Sequence, residues 1–444
     1  MPDRQRLILT AGANSTGYAA QSWRLAKGGP LAFADPAHYL AVTRIAHAGC
    51  LDAVFFSDHP ALWANPAERP LHSFDPLVLA ASLTAKIPDI GVEITASTSF
   101  SPPYELARRV LTLDHLSHGR VILNLVSSFN PAIAANYGDA PLPPRDERYR
   151  QAHEFAALLK TLFNSWDLCR PADPQRSVWD PSHAQAIDHR GEFFSVRGPL
   201  NVPRREDGGP ILAQAGGSNA GMELAAAHGE IIYTAQLTLE GARRFGDQIR
   251  RRAVSLGRAP DAIRIVPGLV PILGRTRAQA LERHHAITNV DGEEALLARF
   301  AHEIGIEPSD LDPDAPLSEA VFPSSDDQQR PVGFTQALAE LARLERVTAR
   351  QFVRRVEGGH RVVLGTADEV TADIVHWWES GAVDGFNIQV PVLPDDLTEF
   401  VEEVVPRLQD RGLFPRHYDG QSLRRRFNLT SPETTAITRL DRSA

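Results

Sequence analysis

Short apolar runs alternate with longer amphipathic stretches along most of the chain. Eight runs have the aliphatic and β-branched density of strands buried on both faces: 7–10, 53–57, 91–95, 120–126, 211–215, 230–235, 263–270 and 384–390. The stretches between them read as helices. Asp35-Pro36 and Asp75-Pro76 each join an N-cap carboxylate to a first-turn proline, and Gly49 and Ser117-His118-Gly119 supply stops. The segment 102–116 sets Leu106, Arg109, Val110 and Leu113 at three- and four-residue steps. Further helices are expected at 218–228 and 239–257.

Eight strands separated by helices predict an α/β fold, a closed (β/α)8 TIM barrel, with an open doubly wound sheet as the competitor. The expected organisation is one barrel domain over 1–444 with insertions at about 166–201 and 275–359 and a C-terminal tail at about 415–444. Both insertions are too long for simple connections and read as additions at the barrel ends that form or cover a substrate mouth, with peripheral packing as the alternative for one of them.

Composition narrows the function classes. The net charge of -9 over 444 residues disfavours a duplex-binding face. Arg424-Arg425-Arg426 is a basic run near the C-terminus, read as a solvated surface. Two cysteines imply no disulfide framework, and no apolar run is long enough to span a bilayer. The N-terminus lacks the long apolar region of a signal peptide, so a cytoplasmic location is expected. Metal chemistry finds no support, because Asp58-His59, His115/His118 and His284-His285 have no third ligand at metal-site spacing.

The informative polar residues sit where strands finish. Asp58 and His59 follow the second strand, and Thr95, Ser97, Thr98 and Ser99 close the third. Asn124, Ser127, Ser128 and Asn130 close the fourth, and Gly216-Gly217-Ser218-Asn219-Ala220-Gly221 follows the fifth. In a barrel these clusters converge on one rim and face one cavity. The glycine turn allows close backbone approach, and the helix start behind it offers N–H groups to an anion. Ser218 suits either an N-cap or a phosphate contact. The segment is neither a Walker loop nor a dinucleotide fingerprint in spacing.

The motifs Phe55-Phe56-Ser57-Asp58, Pro103-Tyr104-Glu105-Leu106-Ala107-Arg108, Asn124-Leu125-Val126-Ser127-Ser128, Asp146-Glu147-Arg148-Tyr149, Gly198-Pro199-Leu200-Asn201-Val202-Pro203 and Gln214-Ala215-Gly216-Gly217-Ser218 occur in that order. With Asp384-Gly385-Phe386-Asn387 they make a chain that resembles the bacterial-luciferase-like FMN-dependent monooxygenases over about residues 7–427. The matching branch is that of nitrilotriacetate monooxygenase, the pristinamycin synthase component and dibenzothiophene-sulfone monooxygenase. The resemblance implies a two-component enzyme that oxygenates a small organic substrate with reduced FMN and O2 through a C4a-peroxyflavin. The reduced FMN comes in trans from a separate NAD(P)H-dependent flavin reductase, and a homodimer is expected. The same resemblance makes Asp58 and Thr95 flavin-ring or ribityl contacts, and Tyr149 a ribityl or phosphate contact. Ser218 with the Gly217 backbone becomes the phosphate contact, and Asn124 and Ser128 line the rim. Arg145 stands where the family usually has His, and Leu123 and Phe129 replace other usual side chains. Arg145 suits a phosphate contact but not neutral-imidazole acid–base work. No catalytic residue is singled out. A hydride-transfer oxidoreductase of the same superfamily, using F420 or FMN, is the alternative.

Overall fold

The computed structural model describes residues 6–62, 74–138, 140–166, 183–318, 322 and 332–429. Its strands, in chain order, are β1 Ile8–Gly12, β2 Ala53–Phe56, β3 Gly91–Ser97, β4 Val121–Val126, β5 His189–Arg190, β6 Ser195–Val196, β7 Ile211–Ala215, β8 Ile231–Thr234, β9 Arg264–Leu273, β10 Val356–Glu357, β11 His360–Gly365 and β12 Gly385–Ile388. Eight of them pair in parallel in the order β1-β2-β3-β4-β7-β8-β9-β12, and β12 returns to β1 with Ile8 opposite Gly385 and Thr10 opposite Asn387. The sheet therefore closes, and the open-sheet competitor is excluded. Each of the eight runs expected from the sequence supplies one barrel strand.

The pleat sorts side chains into two compartments. On β3, Val92, Ile94 and Ala96 join the large core shared with the surrounding helices. Glu93, Thr95 and Ser97 alternate with them and face the barrel interior. The helices start as their caps dictate: Asp35 accepts from Ala37 N at 2.8 Å ahead of Pro36–Ala48, and Asp75 accepts from Val78 N at 2.9 Å ahead of Pro76–Thr84. In Pro103–Leu116 the buried stripe is Leu106, Ala107, Val110, Leu111 and Leu113, whereas Arg109 lies outside it and pairs with Glu105 at 2.8 Å. His118 and Gly119 turn the chain with φ of 57° and 80°.

The two excursions differ. The described part of the first, 183–201, packs against the helix Arg145–Phe163. The small β5–β6 hairpin is held by Glu154 of the helix Arg145–Phe163, which accepts from Phe193 N and Phe194 N, both at 2.9 Å. Trp166 Nε1 donates to Leu200 O at 2.7 Å. Residues 167–182 lie outside the described part. The second excursion contains the helices Arg277–Thr288, Glu293–Ile304 and Val332–Glu345 and a separate apolar cluster around Phe300, Leu341 and Phe352. It reaches the loop after β1, where Gln21 Nε2 donates to Asp291 at 2.6 Å and Tyr18 Oη donates to Gly358 O at 2.9 Å. It ends in β11, a strand not expected from the sequence, which extends the sheet along the far half of β9 from Leu269 to Leu273.

The basic run near the C-terminus corrects the sequence reading. Arg424 and Arg426 are 3% and 9% exposed, and only Arg425 faces solvent. The turn Leu423–Arg426 lies across the N-terminal end of the barrel, where Leu423, Phe427 and Leu429 cluster with Ile8, Ala53, Ile122, Ile211 and Ile231. A Cβ at Gly91 would meet Leu423 Cδ1 at 2.5 Å, so the floor packs directly on the strand starts. The buried Arg264 donates Nε to Phe427 O at 3.0 Å and Nη2 to Asn428 O at 2.8 Å. Arg424 grips Glu230, Nη1 to Oε1 at 2.5 Å and Nη2 to Oε2 at 3.0 Å. Three arginines in sequence read as solvated because nothing local to them reveals a carboxylate 194 residues away.

Candidate active site

The C-terminal ends of β3, β4 and β7 carry most of the rim residues expected from the sequence. Thr95 and Asn124 are register partners on β3 and β4. Both side chains point inward, and Asn124 Nδ2 donates to Thr95 Oγ1 at 3.2 Å. This leaves Asn124 Oδ1, buried and without a hydrogen bond among the described residues. An orphaned buried amide oxygen costs about 1–3 kcal/mol, which a donor from a bound molecule would recover. One step higher, Ser128 Oγ donates to Ser97 Oγ at 2.8 Å.

Arg148 joins this rim to the next wall. It is 3% exposed, and its Nη1 donates to Ser128 O at 3.1 Å. Burial and the neighbouring Arg145 charge lower its pKa. Arg148 lies in a motif singled out above but carries no sequence signal of its own burial. Arg145 opens the helix Arg145–Phe163 and is half-buried, one turn from Tyr149.

Tyr149 and Ser218 meet between two helices, Oη to Oγ at 3.4 Å. Ser218 caps Asn219–His228: its Oγ accepts from Gly221 N at 3.1 Å. A serine hydroxyl has one proton and two lone pairs. The cap uses a lone pair, so the proton is available to a ligand when Tyr149 is the donor in their contact. Glycines on both sides let the turn pack tightly: a Cβ at Gly216 would run into Gln214 Nε2, and one at Gly221 would meet Gly216 Cα at 3.1 Å. The N–H groups of Asn219 and Ala220 have no acceptor inside the helix and point out of its positive end, beside the Gly217 backbone. Hydroxyl proton, free N–H groups and helix dipole together fit a phosphate.

Asp58 follows β2 and makes no hydrogen bond to Thr95, Asn124, Ser128, Tyr149 or Ser218 among the described residues. Its pKa is raised to about 6, by burial first and then by the Asp75 charge, against a backbone hydrogen bond at His59. Its loop is fixed by Asn14, whose Oδ1 accepts from Ser57 N at 3.0 Å and Ser57 Oγ at 2.9 Å.

Below the rim lies a polar layer that the strand-end rule does not reach. Thr10, Glu93, Tyr233 and Asn387 are buried on interior positions of β1, β3, β8 and β12. Burial pushes the pKa of the Glu93 carboxyl well above the usual carboxylate range, against a hydrogen bond from Tyr233 that lowers it. The Tyr233 ring stacks on Phe55, centroids 5.6 Å apart and planes 16° from parallel. The alternation Glu93-Ile94-Thr95 is the sequence signal for this layer, because inward residues two apart share a face.

Among the described residues no group of three or more potential ligands is arranged to hold a metal ion. His115, one of the metal candidates weighed above, instead bonds Pro203 O through Nε2 at 2.6 Å. No described helix is long and apolar enough to cross a membrane.

Comparison with known proteins agrees with this geometry. Residues 6–384 match the family model described as luciferase-like monooxygenase. The N-acetyl-S-(2-succino)cysteine monooxygenase of Bacillus subtilis is 33% identical, over 94% of this chain and 95% of its own. Nitrilotriacetate monooxygenase component A of Aminobacter aminovorans is also 33% identical, over 93% and 94%. The solved structure of the EDTA monooxygenase from Chelativorans sp. BNC1 superposes with a TM-score of 0.81 at 38% identity, covering 96% of this chain and 99% of that one.

Proposed function

The chain belongs to the luciferase-like monooxygenases, flavin-dependent enzymes, and from that membership we propose that it is the oxygenating half of a two-component system. A separate NAD(P)H-dependent flavin reductase supplies reduced FMN in trans, and O2 and a small organic acid are the other substrates. The observation that carries FMN, rather than an unphosphorylated flavin, is the Tyr149–Ser218 pair at a helix N-terminus.

When bound, reduced flavin supplies the two electrons that divide O2 into one transferred oxygen atom and water. The residues of the chain do the rest. Ser218, the Gly217 backbone and Tyr149 hold the phosphate, and Arg145 stands beside them. Asn124 Oδ1 accepts a hydrogen bond from the ring edge or ribityl chain, and Thr95 fixes the orientation of that amide. Asp58 and Ser128 complete the rim. The stacked Phe55 and Tyr233 and the floor around Phe427 close the interior from below and keep bulk water from the reacting face.

Three relatives are named for substrates with several carboxylates: nitrilotriacetate, EDTA and N-acetyl-S-(2-succino)cysteine. We therefore place a small polycarboxylic acid first among substrate classes. The test combines the purified chain with a flavin reductase, NADH, FMN and 18O2, against a panel led by polycarboxylic amines and thioethers. One 18O atom per product, absent when the chain is omitted, is expected. Turnover that proceeds without O2, or unlabelled product, would refute the proposal.

A further inference from the structure

The opposite end of the barrel holds a second cavity, of about 280 Å³, which flavin chemistry does not use. Its wall is formed by the end of the helix Arg145–Phe163, the approaches to β7, β8 and β9, and the floor segment at Arg424 and Leu429. Four cations face it, Lys160, Arg204, Arg258 and Arg424, against one carboxylate, Glu230.

That carboxylate is already committed. Arg424 holds both its oxygens, and Leu212 N adds a third bond at 3.1 Å. Arg258 caps the helix Asn219–His228, donating to Ala226 O and Gly229 O, both at 2.7 Å. Carbonyl oxygens satisfy its protons without cancelling its charge. Arg204 donates to Arg205 O at 3.1 Å.

Lys160 differs from these three. Its ammonium makes no hydrogen bond or ion pair among the described residues, although its stem lies in the wall. Burial, then the charges of Arg258 and Arg424 against that of Glu230, bring its pKa down to about 8. Among the described residues, Asp207 offsets Arg204 and Arg424, and Asp114 offsets Arg424, but neither acts on Lys160. His153 and His228 pack edge to face, and burial lowers both imidazoles. Asp207 is ion-paired to Arg205 at 3.2 Å, and burial raises Asp114 to about 7. A half-buried ammonium among guanidinium groups is stabilised when a mobile anion joins it.

We propose that this cavity binds a small dianionic oxyanion of the phosphate class, with Lys160 as its principal ligand and Arg204, Arg258 and Arg424 around it. Free phosphate and the phosphate of a small ester share this chemistry, and the volume admits either. The site is separate from the flavin rim, because Lys160 lies eleven residues beyond Tyr149 on one helix, roughly 16 Å along its axis.

The test measures melting of the whole chain, its flavin rim kept filled by excess FMN, with inorganic phosphate, sulfate or glycerol phosphate, against chloride at equal ionic strength. Wild type, Ser218→Ala, Lys160→Met and Lys160→Arg are compared. At ten times Kd the wild type should gain about 1–2 °C over chloride. Ser218→Ala should keep that gain, because the flavin rim is not involved. Lys160→Met should lose it, yet melt no lower than wild type without the anion, since an unpaired charge has been removed. Lys160→Arg should retain part of it, which keeps the test decisive if the methionine variant does not fold. A tighter response to glycerol phosphate than to phosphate and sulfate identifies the ester as the source, and an equal response identifies the free ion. A gain no larger than that of chloride, or one that survives in Lys160→Met, overturns the proposal, as does a gain lost only in Ser218→Ala.

Discussion

Replacing Ser218 by Ala removes one oxygen with two assignable tasks. As N-cap, that oxygen accepts from Gly221 N at 3.1 Å, and its loss should lower stability by about 1 kcal/mol. For a chain of 444 residues this is a fall in Tm of only about 1 °C. As phosphate ligand, the hydroxyl donates a charge-assisted hydrogen bond worth about 1.5–3 kcal/mol. FMN should therefore bind roughly tenfold to a hundredfold more weakly. Riboflavin, which lacks the phosphate, should lose at most a factor of about two to three through the loosened helix start. Ser218→Gly separates the tasks, because glycine caps to within a few tenths of a kcal/mol; it should keep the Tm and still lose FMN affinity. Quenching of flavin fluorescence as oxidised FMN or riboflavin is titrated with the chain gives both dissociation constants. Equal losses for FMN and riboflavin would refute the phosphate role.

The remaining predictions concern the rim, the interior and the floor. Arg145→Ala should also weaken FMN more than riboflavin, by up to about tenfold, if the guanidinium reaches the phosphate; unchanged FMN affinity with altered product yield assigns Arg145 to the substrate. Burial raises the pKa of Glu93 in the folded chain, whereas the unfolded carboxyl ionises above about pH 4.3. Native stability therefore falls as pH rises from that value toward the folded pKa, and Glu93→Gln abolishes the fall. The Tm advantage of Glu93→Gln over wild type should grow from pH 5 to pH 8; a flat difference by calorimetry contradicts a raised Glu93 pKa. Phe427→Ala empties the floor beneath Ile8 and Ile122 and should cost about 3–5 kcal/mol in urea unfolding. A loss under 1 kcal/mol would mean that the floor is not a structural plug.

The barrel strands were legible because they are continuous apolar runs buried on both faces, a pattern that stands out without knowledge of partners. β11 was not: it begins with His360-Arg361, and Arg361 spends its charge on Asp373 at 2.7–2.9 Å, a contact that lies outside the strand itself. At the site, the rule that function gathers at strand ends points to Thr95, Asn124, Ser128 and Ser218, and the structure brings Thr95 to Asn124 and Tyr149 to Ser218. Asp58 stays separate from them. Glu93 and Tyr233 escape the rule because they lie inside their strands, where polar residues are rare and only the pleat reveals the shared face. The buried Arg264 and Arg424 escape it because their partners are carbonyls and a carboxylate remote in sequence.

The floor has a consequence for how the protein is made. β12, which closes the barrel, ends at Ile388, but the side chains that stop the lower opening come at Leu423, Phe427 and Leu429. On the ribosome the cylinder can therefore assemble before its base exists, with Arg264 and Glu230 still awaiting the groups they hold. A nascent chain interrupted between these points should show a burial-poor, protease-sensitive lower end despite a complete set of strands. The segment Leu423–Leu429 thus acts as a completeness check, converting a closed but leaky cylinder into a sealed vessel only after the last barrel strand has been made.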